Sequence, residues 1–220
     1  MTSPQTTPVA DLHTDLLAYL GGGDGTRSIN DDVSRCSLSQ LRAGGVSTQI
    51  LPIYVPGGQG AFEWAMAQQE AFGRLLGEYG EHFVHRFGSG DADDARIRVA
   101  LAVENASGLG TASEPVSKHI ERLEDMVRQW GPVVYLSLTW AVENRFGGGN
   151  GKQDVGLKDD GRRLLEAMAR LQIPLDLSHA SAPLIEQSLD FIDRHFPDMV
   201  VMASHCNVRA LREHSRNLTD

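Results

Sequence analysis

Cysteine is nearly absent from this chain. Its 220 residues include only Cys36 and Cys206, isolated from each other and without CxxC spacing. That argues against a disulfide framework and fits a reducing compartment. Long apolar runs are also missing, and no stretch approaches the roughly 18 residues of a membrane span. The opening MTSPQTTPVA lacks the basic and apolar regions of a secretory signal. A cytoplasmic location without membrane contact is therefore expected. Positive charge is in deficit, with 20 Lys and Arg against 29 Asp and Glu, a formal charge of −9. Nucleic-acid binding rests on clustered Lys and Arg, so the balance speaks against a phosphate-backbone partner. Two glycine-rich stretches, Gly21–Gly25 and Gly147–Gly151, lack the strand–GxGxxG–helix context of a dinucleotide fold. They also lack the Lys-Ser/Thr of a phosphate loop, and are expected to be mobile loops at the active-site end.

Short β-like runs alternate with helical patterns, the signature of βαβ units and a parallel sheet. The strand candidates are Val9–Asp15, Val46–Val55, Ile97–Glu104, Val133–Thr139, Ile173–Ser178 and Met199–Ser204. Apolar stripes at three- and four-residue spacing predict helices through Phe62–Tyr79, Val116–Trp130, Leu164–Leu171 and Leu184–Ile192. The residues divide into neither repeats nor linker-separated parts, so one domain is expected. Two architectures suit this order, an open doubly wound sheet or a (β/α)8 TIM-type barrel.

Chemistry concentrates at the ends of the strand candidates. His13 and Asp15 close the first run, and alternation with period two points them the same way. Glu104 directly follows Val99-Ala100-Leu101-Ala102-Val103, where an unpaired carboxylate would be costly. Asp176-Leu177-Ser178-His179 and Met202-Ala203-Ser204-His205 both end apolar strands with Ser-His. A lone His-x-Asp pair is more often a hydrogen-bonded polar pair than a metal site, and the recurrence is what carries weight here. Catalytic groups at the C-terminal ends of several strands favour the barrel. Such a barrel takes about 250 residues, so six βα units in 220 residues look truncated, with the C-terminal quarter missing.

Imidazole and carboxylate donors without thiolates suit zinc, with other divalent transition metals as alternatives. Five ligands exceed the needs of one tetrahedral ion. Two ions bridged by a carboxylate would use them all, with Glu104 as the bridge and catalytic centrepiece. His13 and Asp15 would hold one ion, and His179 and His205 the other. The remaining polar groups are expected to be bland. His82 and His85 fall in a polar connection, His119 on the outer face of a helix, and His195 near a helix end. Cys206 is expected to point away from His205, and Asp176 to serve a supporting role.

At this point the residues resemble the membrane (renal-type) dipeptidases, binuclear zinc peptidases of the amidohydrolase type. The matching segments are Asp11–Asp15, Ala102–Glu104, Leu138–Thr139, GLKDDGRRLLEAMARLQIPLDLSHAS over Gly156–Ser181, and ASHCNVRALREHSRNLTD over Ala203–Asp220. The resemblance implies a (β/α)8 barrel that cleaves a dipeptide or similar amide with a hydroxide shared by two zinc ions. It implies His13, Asp15, Glu104, His179 and His205 as metal ligands and Arg216 as the group that grips the substrate carboxylate. Two departures stand out. The family's substrate-binding histidine falls at Trp140, which is expected to line the pocket instead, and the family's acid/base aspartate lies beyond Asp220. The resemblance thus implies a catalytically incomplete chain. Two other functions remain open: a non-catalytic metal- or peptide-binding protein, and an amidohydrolase acting on another amide or a lactone. An open barrel also exposes two strand edges, which predicts self-association.

Overall fold

The run Ile97–Glu104 is apolar on both of its alternating faces, and it becomes the central strand of one parallel sheet. Burial on both sides is what a parallel sheet covered by crossover helices requires. The computed structural model describes residues 7–23, 25–85, 95–152 and 154–219. Met1–Thr6, Asp24 of the first glycine run, and Asp220 lie outside the described residues. The strands are β1 (Val9–Asp11), β2 (Val46–Tyr54), β3 (Phe83–His85), β4 (Ile97–Glu104), β5 (Leu136–Ser137), β6 (Leu175–Asp176) and β7 (Val201–Met202). Their order is β1-β2-β4-β5-β6-β7, all pairs parallel, with β3 set beside the start of β4. Among the described residues nothing pairs β1 with β7, so the sheet is an open arc with two edges.

The helices are α1 (Leu16–Gly21), α2 (Leu38–Ala43), α3 (Ala61–Glu78), α4 (Val116–Trp130), α5 (Asp159–Leu171) and α6 (Ala182–His195). Helix α4 occupies the predicted span, because its stripe and flanking Pro115 and Gly131 mark both ends. Ser181 caps α6 by accepting from Leu184 N, and acidic Asp159 and Asp160 suit the positive N-terminus of α5. The short helices α1 and α2 are additional to the sequence reading. Six residues carry too little periodicity to register, although Ser37 and Gln40 form a reciprocal capping box at α2.

Two of the predicted details of the strands change. The paired cores of β1, β5, β6 and β7 are two or three residues long, shorter than their apolar runs. Bonding nonetheless continues past them, as in Val134 N–H to Leu101 O (2.9 Å) and Leu177 N–H to Met202 O (2.9 Å). His85 is not in a polar connection but ends β3, edge-on to the Phe72 ring at 5.3 Å.

Apolar side chains pack on both sides of the arc. The larger core joins the sheet's outer side to the helices through residues such as Leu51, Leu101, Phe72, Leu123 and Leu164. A smaller cluster, Ile50, Ala100, Ala102 and Tyr135, fills the other side. Period-two alternation carries that inner side along β4 from Ala100 and Ala102 to Glu104, and along β2 from Ile50 to Tyr54. The small alanines leave room for the fully buried Tyr135 ring, and the chemistry sits just above it.

Candidate metal centre

The C-terminal ends of β1, β4, β6 and β7 converge, and they bring four of the five predicted ligands into direct contact. Glu104 is only 3% exposed and lies between three imidazoles. His13 Nε2 is 3.2 Å from its Oε2, while His179 Nε2 (2.8 Å) and His205 Nε2 (3.5 Å) face its Oε1. The two latter nitrogens are 3.0 Å apart. His13, Glu104 and His205 each offer a ligand atom within 4.8 Å of the others, a spacing suited to metal binding. Asp15 is more open, with a 64% exposed side chain and Oδ1 3.8 Å from His13 Nε2.

The local backbone explains this placement. His179 adopts a left-handed conformation (φ 69°), a strained choice for a non-glycine residue that swings its ring off the strand direction. The glycine run after β5 holds it there. Asn150 N–H donates to His179 O (2.7 Å), and Ser181 N–H donates to Gly148 O (2.9 Å). That run was expected to be a mobile loop, but residues 147–149 are buried. A Cβ on Gly149 would sit 1.8 Å from Trp140 O, so these glycines serve close backbone approach.

The electrostatics follow from crowding. Burial opposes the Glu104 carboxylate, yet hydrogen bonds from His13, His179 and His205 outweigh it and hold its pKa far below the usual range. Burial opposes charge on His13 as well, but bonding and attraction to Glu104, aided by Asp15 and Asp176, raise it. For His179 burial prevails, and Arg216 adds to the lowering against the pull of Glu104. Asp15, although its side chain is open to solvent, is raised by partial desolvation among its neighbours and by repulsion from Glu104. The buried His179 Nδ1 lacks a hydrogen-bond partner. Three nitrogen donors and two carboxylates around one small volume form a donor set fitted to zinc-like divalent ions.

The residues expected to meet substrate, Trp140 and Arg216, lie beside this cluster. The Trp140 ring lies 5.8 Å from His179 and edge-on to Tyr54 at 5.5 Å. The Arg216 guanidinium donates from Nη2 to His205 O and from Nη1 to Cys206 Sγ, both at 3.1 Å. Cys206 in turn reaches Ser178 Oγ at 3.4 Å, so its sulfur meets the strand-end network. Sequence reasoning missed Tyr54 and Tyr135. Tyr54 pairs with Glu104 in the sheet register, and burial with the nearby Glu104 and Asp15 charges pushes its phenol up to about 12. Burial, reinforced by the Asp176 charge, likewise pushes the Tyr135 phenol up and keeps it protonated. Each tyrosine was visible only as an aromatic in an apolar run. His119 is corrected: it is fully buried on the inner face of α4, edge-on to Phe146, with Nε2 unpartnered. Its neighbours on the helix are mostly charged, which disguised the face.

Comparison with known proteins decides the family. The family described as Membrane dipeptidase (Peptidase family M19) matches residues 4–220. The chain belongs to this family. Dipeptidase 3 of Mus musculus is 25% identical over 194 residues, which cover 84% of this chain and 36% of the relative. The chain thus spans about a third of the length of that curated relative. A metallo peptidase from Rhodobacter sphaeroides, solved with a phosphinate mimic of the dipeptide L-Ala-D-Ala, superposes with a TM-score of 0.74 at 20% identity. That match covers 98% of this chain and 69% of the other. An amidohydrolase from Pseudomonas aeruginosa gives 0.66 at 21% identity, over 83% and 52% of the two chains. The fold is accordingly the barrel-type parallel α/β arrangement of this family, here an open arc rather than a doubly wound sheet. No helix among the described residues is long and apolar enough to cross a membrane.

Proposed function

We propose that this family member is a metal-dependent hydrolase that cleaves the amide bond of a dipeptide or closely similar substrate with two zinc ions. The observation that carries this reading is the division of Glu104 between two sets of nitrogens. Oε2 faces His13, next to Asp15, and Oε1 faces His179 and His205. A carboxylate shared in this way suits a bridge between two ions, one held by His13 and Asp15 and the other by His179 and His205. Bound divalent ions would polarise the scissile carbonyl and lower the pKa of water to near neutrality.

The chain's own residues supply the rest. Arg216 commits two of its five N–H groups to His205 O and Cys206 Sγ, which fixes the guanidinium beside the centre. Its remaining donors suit the substrate carboxylate. Trp140 and Tyr54 form an aromatic wall over His179 that limits water and orients the substrate body. The half-open Asp15 marks the side by which substrate enters. Trp140 also supports a second reading, a metal-dependent peptide binder without turnover, because an indole donates one hydrogen bond and accepts none.

Metal analysis and kinetics test both. The purified protein is expected to hold close to two equivalents of zinc, and Glu104→Gln to lower that occupancy. Full occupancy in the variant would refute the bridging role. Dipeptide hydrolysis that depends on zinc supports the first reading, whereas tight dipeptide binding without hydrolysis supports the second.

A further inference from the structure

We infer that Tyr135 and Ser204 are positioning residues that fix the ring orientation and tautomer of His13 and His205, so that each presents an unprotonated Nε2 to its own metal ion. The inference rests on the two-ion reading above and adds the groups that set the ligands.

The hydrogen count carries it. Tyr135 Oη lies 2.9 Å from Leu12 O and 2.8 Å from His13 Nδ1. A phenol has one hydrogen and a carbonyl can only accept. With that hydrogen given to Leu12 O, His13 Nδ1 must be the donor to Tyr135. A neutral imidazole has one N–H, so in the neutral, metal-binding ring the lone pair is at Nε2, on the side of Glu104 Oε2 3.2 Å away, the oxygen that Nε2 hydrogen-bonds without a metal ion.

The second relay repeats this logic with other residues, Ser204 and Asp176, which also lie against the Tyr135 hydroxyl. Ser204 Oγ lies 2.7 Å from Asp176 Oδ2 and 2.7 Å from His205 Nδ1. The charged carboxylate is the stronger acceptor and takes the hydroxyl hydrogen. His205 Nδ1–H then donates to Ser204, and in the neutral ring the His205 lone pair is at Nε2, on the side of Glu104 Oε1. Asp176 is itself fixed, because its Oδ1 accepts from Ser178 N–H (3.1 Å) and Ser204 N–H (2.9 Å). Two neutral rings so fixed aim lone pairs at one carboxylate, and a metal ion can take the place of the protons that otherwise link them to it. The two relays end on different anchors, a backbone carbonyl and a buried aspartate, and they serve opposite oxygens of Glu104. Removing one should therefore weaken one metal step more than the other.

The experiment is stepwise zinc titration of the full chain against a chelating competitor, with thermal melting of the metal-free protein as the fold control. Tyr135→Phe keeps the ring and is expected to weaken one of the two zinc steps roughly 10- to 100-fold. Ser204→Ala is expected to weaken the other step by a similar factor, and Ser204→Thr, which retains the hydroxyl, to restore it. A purely structural role would lower both steps together with the metal-free melting temperature, and that result would overturn the inference. So would unchanged zinc affinity in Tyr135→Phe and Ser204→Ala. If the parent protein takes up no zinc, the two-ion reading fails first and the inference falls with it.

Discussion

Replacing Gly149 with alanine tests whether the glycine run after β5 is a rigid support for the site. An ideal Cβ there would meet Trp140 O at 1.8 Å, Ala141 C at 2.5 Å and Val142 N at 2.7 Å. All three are backbone atoms, so no side chain can rotate away. Even a contact of 3.0 Å requires the two segments to part by about 1.2 Å. Overpacking a well-filled site costs about 1–3 kcal/mol, and a clash with main chain belongs at the upper end. For a domain of this size that corresponds to a fall in melting temperature of roughly 6–12 °C. The displacement cannot remain local. Gly149 bridges to Ala180, and Asn150 N–H holds His179 O, so parting the segments moves Trp140 and His179 against each other. Calorimetric melting of the metal-free protein reads the first effect, and zinc affinity on the His179 side reads the second. Gly77→Ala is the control, because a Cβ there meets nothing within 4 Å inside α3. It should raise stability by about 0.5–1 kcal/mol through helix propensity. A Gly149→Ala protein that melts with the parent and binds zinc equally well would refute the close-approach argument.

Two further outcomes are expected. His119→Leu should be neutral or stabilising by about 1 kcal/mol, since it removes a buried ring nitrogen that has no partner. Burial lowers the folded His119 pKa below its ordinary value, so as pH falls through about 6.5 the unfolded chain takes up a proton that the folded one refuses. That linkage lowers stability on acidification, and denaturant melts between pH 7 and pH 5 should show a shallower loss in His119→Leu than in the parent. Arg216→Lys should leave metal content intact and weaken binding of a phosphinate dipeptide mimic roughly 10- to 100-fold, from the loss of a forked charge-assisted contact. Calorimetric titration that finds equal affinity would remove Arg216 from the carboxylate-binding role.

The fold was legible where a single element carries its own signal. Helix α4 and the strand β4 could be bounded closely, because a strong stripe and an unbroken apolar run each define themselves. The strand β3 was not legible, because Phe83-Val84-His85 is three residues long and gains its strand character only by pairing with Ile97–Val99. His119 misled for a related reason. On a helix dense in Lys, Glu and Arg, one polar residue on the buried face looks like one more solvated group. The glycine run after β5 misled in the opposite direction. Glycine permits both freedom and close contact, and only the path of a second segment, here Trp140–Val142, selects between them.

The site divides along the same physical line. His13, Glu104, His179 and His205 could be picked out together, because costly polar groups recur at the ends of several apolar strands. Their supports could not, since a hydrogen-bond relay belongs to a pair of strands and not to either one. Tyr135 serves His13 from 122 residues away, and Asp176 serves His205 through Ser204 on the neighbouring strand. In each case the sheet register turns an ordinary residue into a support. The Leu175↔Val201 and Asp176↔Met202 pairing leaves Asp176 two residues behind Ser204, where its carboxylate reaches the serine. A slip of one residue would turn every side chain of β7 to the opposite face and send Ser204 into the helix layer. The proposed ligands are therefore a property of the sequence, and the supports proposed for them are a property of the register. This is why the stepwise zinc titration of Tyr135→Phe and Ser204→Ala probes something that substitution of the ligands themselves cannot.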